Sequence, residues 1–135
     1  MYKNSLKEKL KNNKRIKGCI IQAALPALVE ICGLCKFDFV FIDAEHGPLS
    51  TGDCENLVRA AEVSDIIPII RVPQNIPEVI LSYMDIGGMG IIAPDISCKE
   101  DAEAAVRAVK YHPYGERGLS ATRSSKYGLG EPISE

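Results

Sequence analysis

Four short apolar runs set the rhythm of the chain, at residues 18–22, 37–43, 66–72 and 89–94. Each has the length and β-branched content of a strand. Between and after them lie longer stretches with apolar residues at helical spacing, at 26–35, 52–63, 76–84 and 99–111. The order is therefore βαβαβαβα, and successive strands are far enough apart for crossover helices, as parallel strands require. The second, third and fourth runs (FVFI, IIPII, GII) are nearly unbroken apolar sequence. Strands of a parallel sheet buried on both faces read this way. The expectation is an α/β fold.

Punctuation agrees with that layout. Pro26 and Pro77 suit first helical turns, and Ser50 or Thr51 can cap the helix that follows. Ser97 precedes an acidic first turn containing Glu100 and Asp101, with Asp95 as another candidate cap. Gly33, Gly87 and Gly88 fall near helix ends, where a left-handed residue is often needed. After Pro113 the periodicity dissolves into YGERGLSATRSSKYGLGEPISE, which reads as a loop or lid.

Composition narrows the classes of partner. The 135 residues are 46% hydrophobic and 25% charged, and the net charge is −2, as for one ordinary globular domain. The basic lead-in Lys3, Lys7, Lys9, Lys11, Lys14, Arg15 and Lys17 lacks the apolar segment of a signal peptide and reads as a solvated amphipathic helix. No dense basic run in the body points to nucleic acid or a membrane surface. Without a spanning segment, and with five cysteines that fit reduced thiols, a cytoplasmic protein is expected.

Sites in parallel α/β folds are built past the carboxyl ends of the strands. Those positions hold Asp43, Glu45 and His46 after the second strand, Arg71, Gln74 and Asn75 after the third, and Asp95 after the fourth. His46 beside carboxylates has the chemistry of a general base or metal ligand, or is a plain loop residue. Arg71 either captures a substrate carboxylate or forms a structural salt bridge to Asp43 or Glu45. By position Asp85, in YMDIGG, belongs to the opposite, amino-terminal side of the fourth strand. The pair Cys32 and Cys35 has redox-motif spacing but lies at a helix's C-terminal end, where the dipole raises a thiol pKa. The segment DIGGMG precedes a strand instead of following one, so it is no dinucleotide fingerprint.

Three segments together, FDFVFIDAEHGP, IIRVPQNIPEVILSYMDIGGMGIIAPDI and AVRAVKYHPYGERGLS, resemble the HpcH/HpaI aldolase family, over residues 10–128. This is also called the 2,4-dihydroxyhept-2-ene-1,7-dioate aldolase family. The resemblance implies a partial (β/α)8 TIM barrel, with residues 1–135 forming about its first four βα units, a truncated amino-terminal half. It implies a class II pyruvate aldolase, which splits a 4-hydroxy-2-oxo acid reversibly into pyruvate and an aldehyde with a divalent metal, Mg or Mn. In that scheme His46 is the base, Arg71 binds substrate and stabilises the enolate, and Asp85 raises the basicity of His46. The family's metal ligands follow its fifth and sixth strands, so none is assigned here, and the glutamine that contacts pyruvate is absent as well. An open half-barrel exposes two apolar edges and one uncovered face. A homo-oligomer or a complementing C-terminal half is the expected partner, and a non-catalytic remnant that keeps the fold is the alternative. Arg117 and Arg123, in the tail, are candidates to reach an acidic substrate or a neighbouring subunit.

Overall fold

The computed structural model describes residues 3–130. Four parallel strands, β1 (Gly18–Ile21), β2 (Phe39–Asp43), β3 (Ile67–Arg71) and β4 (Gly90–Ile92), form one sheet in the order β1-β2-β3-β4. Helix α1 (Ser5–Lys11) precedes the sheet, and α2 (Pro26–Leu34), α3 (Thr51–Val63), α4 (Pro77–Asp85) and α5 (Lys99–Val109) follow the strands in turn. Sequential strand order with no reversal is the winding of a barrel, not of a doubly wound sheet, which has a switch point.

Burial alternates along the strands and shows which face the helices cover. Val40, Ile42, Pro68 and Ile70 are fully buried against the helical layer, together with Val29, Cys54, Leu57, Val58 and Ile80. On the other face Ile67 is buried at the amino-terminal end of β3, but Phe39, Phe41 and Ile69 are only half-buried, and Ile20 is 60% exposed. The unbroken apolar runs predicted strands buried on both faces. Within this chain only one face is covered, because all the helices that follow strands pack on it.

The helix boundaries follow the punctuation. Ser50 caps α3 in a reciprocal box with Asp53, whose side chain bonds the Ser50 backbone N–H at 2.9 Å. Asp95 does not cap α5: it sits at φ 55°, while Cys98 takes the cap position and Asp101 accepts bonds from Ser97 and Cys98. Three such bonds to one exposed carboxylate hold Asp101 down at about 2, led by the Ser97 backbone. Gly87, at φ 104°, supplies the left-handed residue after α4. Gly33 is not left-handed. It lies inside α2 where a Cβ would come within 2.7 Å of Ser64 Cβ, so its role is close approach to the end of α3.

Helix α1 crosses the amino-terminal side of the sheet. Leu6 is buried there, Asn4 Nδ2 donates to the Met89 carbonyl at 3.1 Å, and Lys9 pairs with Asp38 just ahead of β2. Through Gly130 the tail after Pro113 is built in: it contains a 3-10 segment, Arg123–Gly128, that packs against α4, and its last five residues lie outside the described residues.

Candidate active site

The carboxyl ends of the first three strands meet in register. Ile21 pairs with Ile42 and Asp43 with Arg71, so Gln22, Asp43 and Arg71 occupy one row across adjacent strands. Arg71 lies with its Cζ 5.2 Å from the centre of the Phe41 ring, on the face the helices leave open.

Asp43 is the hub of this row and is completely buried. Its Oδ1 accepts from Arg71 Nε at 2.9 Å and from the backbone N–H groups of Glu45 and His46 at 3.2 and 3.1 Å. Its Oδ2 accepts from Arg71 Nη2 and Gln22 Nε2, both at 2.7 Å. Five hydrogen bonds from four donor groups, one of them cationic and bonded at two points, fill the lone-pair sites of the carboxylate. The Arg71 guanidinium holds the Asp43 carboxyl far below the usual carboxylate range, assisted by Gln22 and the His46 N–H and opposed by burial.

The loop leaving β2 is shaped by those bonds. Asp43 grips the chain two and three residues on, and a Cβ on Gly47 would come within 2.6 Å of the Asp43 carbonyl, so only glycine fits there. The loop turns His46 outward, with its side chain 66% exposed and Nε2 3.7 Å from Glu45 Oε2. Glu45 Oε2 also lies 3.1 Å from Arg71 Nε. His46, Glu45, Asp43 and Arg71 thus form one connected cluster. For Arg71 both alternatives read from the sequence apply in part: it makes the salt bridges to Asp43 and Glu45, and still faces the mouth of the sheet.

Asp85 does not join this cluster. It ends α4, on the side where β4 begins, and its Oδ1 accepts from Arg117 Nη2 at 2.9 Å. The carboxylate beside His46 within the chain is Glu45. Nor do Arg117 and Arg123 join the cluster. Arg117 is buried between Asp85, Ser124 and the Tyr111 ring, 4.8 Å from its centre, and Arg123 pairs with Glu62 and donates to the Ile86 carbonyl. Asn75 bonds the Asp101 carbonyl at 3.3 Å, tying the β3 exit to α5. Gln22 is absent from the candidates read from the sequence, which include no residue after the first strand because that run is taken through residue 22. Its signal was positional, as the first polar residue after GCII, like Asp43 after FVFI and Arg71 after IPII.

The donor chemistry does not fit a divalent metal here. Among the described residues no group of three or more His, Cys, Asp or Glu side chains could hold an ion. Asp43 has spent its oxygens, and Glu45 is committed to Arg71. The cysteines are no better placed: Cys32 is buried and its thiol is pushed up to about 11, by burial first and then by the neighbouring Cys19.

Residues 17–127 match the model of the HpcH/HpaI aldolase/citrate lyase family. The chain belongs to that family. It is 34% identical over 120 residues to the 2-dehydro-3,6-dideoxy-6-sulfogluconate aldolase of Pseudomonas putida, covering 88% of this chain and 47% of that enzyme. It is 33% identical over 128 residues to the hydroxypyruvate/pyruvate aldolase of Roseobacter denitrificans, covering 95% and 50%. Among solved structures, the HpcH/HpaI aldolase of Desulfitobacterium hafniense superposes with a TM-score of 0.83 at 28% identity, over 96% of this chain and 49% of that one. The chain spans about half the length of the curated relatives it matches. Its fold is therefore α/β, a parallel four-stranded sheet with its helices that matches about half of a TIM-barrel-like aldolase of this family.

Proposed function

We propose that this chain supplies the base and the arginine of a pyruvate aldolase that reversibly splits a 4-hydroxy-2-oxo acid into pyruvate and an aldehyde. The observation that carries this reading is the cluster at the strand ends, where His46 and Arg71 share Glu45 within 3.7 Å. His46 accepts the proton of the substrate hydroxyl as the carbon–carbon bond breaks, a contribution of about 10² to 10⁴ in rate. Its exposed ring can reach a substrate in the mouth, and Glu45 stabilises the imidazolium that results. Arg71 offers fixed positive charge to the developing enolate, worth about 3 to 4 kcal/mol in a water-excluded site. Asp43 keeps that guanidinium in place.

In this reading residues 1–135 are the amino-terminal half of the catalytic domain. The divalent ion, Mg or Mn, is held by the other half. On this reading Asp85 has no role toward His46 within one chain, since Asp85 pairs there with Arg117 at the opposite end of the sheet. The protein acts on small 2-oxo acids in the cytoplasm, as an oligomer or joined to a complementing half. Among the described residues no helix is long and apolar enough to cross a membrane.

The test is a retro-aldol assay with Mg or Mn, on the chain alone and with a supplied C-terminal half. Pyruvate release is expected in the second case, with loss of at least about 100-fold in His46→Ala and in Arg71→Lys. Release indifferent to His46→Ala removes the base. No release from the joined halves, with the fold intact, leaves the alternative of a non-catalytic remnant.

A further inference from the structure

The Arg71 guanidinium has two ends, and the strand-end row commits only one of them. Nε and Nη2 are spent on Asp43, and Nε also faces Glu45. No bond from Nη1 occurs among the described residues, so the Nη1 end is the one an anion can approach. What fixes this orientation is the rotamer of Asp43. A carboxylate bound only by Arg71 could swivel with it, whereas the Gln22 amide, donating to Oδ2 at 2.7 Å from the end of β1, pins the oxygen that Nη2 also uses. The backbone N–H groups of Glu45 and His46 pin the other oxygen.

We propose that Gln22 is a positioning residue for Arg71: acting through Asp43, it holds the guanidinium with its Nε edge turned to the carboxylates and its Nη1 end to the anionic group of a substrate. The orientation of Arg71 rests on geometry alone, while its meaning for substrate rests on the aldolase reading above. Gln22 itself is too exposed to count as core packing. Its amide has one described side-chain partner, the Asp43 carboxylate.

The groups facing Asp43 are Arg71 from β3, Glu45 and His46 from its own loop, and the uncharged Gln22 from β1. Two substitutions separate positioning from filling. Gln22→Leu keeps the bulk and removes the donor. Gln22→Glu places a carboxyl that repels Asp43 when ionised and donates to it when protonated. Side-chain NMR of the 135-residue protein reads the result through solvent exchange of the Arg71 Nε–H and titration of the Asp43 carboxyl carbon.

In Gln22→Leu the Arg71 exchange is expected to quicken about tenfold at neutral pH, and Asp43 to titrate at higher pH than in the wild type. In Gln22→Glu the same loosening at neutral pH should reverse on mild acidification, because the introduced carboxyl gains its proton before the strongly depressed Asp43 does. Unchanged exchange and titration in Gln22→Leu overturn the proposal. If that variant does not fold, Gln22→Glu decides alone: exchange that never slows on acidification overturns it. Neither readout depends on turnover, so failure of the aldolase reading appears separately, as absent pyruvate release with Arg71 still ordered.

Discussion

Asp43 concentrates more of the site's physics than any other single residue. A fully buried carboxylate is tolerable only when paired and saturated with donors, and here Arg71, Gln22 and two backbone amides do both. Its depressed pKa makes it a source of acid sensitivity. The stabilisation is fully present above the unfolded carboxylate value of about 3.9 and is lost as pH falls through the lower folded value. Asp43→Asn should lower stability at neutral pH by about 2 kcal/mol, a figure reduced from that for a dry ion pair because Arg71 is partly exposed. The gap to wild type should close as both are acidified, as urea melts across a pH series would show. A constant gap at every pH would mean that charge is not the source. The sequence made Asp43 visible as a polar residue after an apolar run, but a carboxylate in that position can either pair with a cation or coordinate a metal. Only the in-register partners decide between pairing and coordination, and register is a long-range property that a local pattern does not carry.

At the scale of elements, the helices and strands were legible because hydrophobic period and caps agreed. Pro26 and Pro77 begin helices where fixed φ and a missing N–H do no harm, and Ser50 caps α3. The tail was illegible for the opposite reason. Its order comes from two arginines reaching back to acids far away in sequence, Arg117 to Asp85 and Arg123 to Glu62, not from any periodicity. Arg117 is the better handle. Arg117→Met keeps the apolar stem but abandons Asp85, Ser124 and the Tyr111 ring, and leaves the Asp85 carboxylate without its cation. The expected cost is about 1 to 3 kcal/mol, concentrated in the tail. Limited trypsin digestion should then cleave after Arg123 and Lys126 sooner than in the wild type, while the helical core persists. Equal digestion rates would show that the tail is held by something else.

For the molecule as a whole, one covered face and one open face is the dominant fact. Ile20 at the β1 end and Ile92 at the β4 end, 60% and 39% exposed, flank half-buried Phe41 and Ile69 on a sheet with two unpaired edges. By itself the 135-residue chain is expected to associate at micromolar concentrations and to bind an apolar dye. Both effects should fall when a complementing half is supplied. Sedimentation velocity and dye fluorescence test this, and a monomer that binds no dye would contradict it. The sequential winding has a practical corollary. Gln22, Asp43, His46 and Arg71 all precede residue 72, on three neighbouring βα units. On the proposed aldolase reading the anion anchor and the base therefore travel as one cassette, and different second halves joined to it would change the aldehyde accepted while the proton chemistry stays where it is.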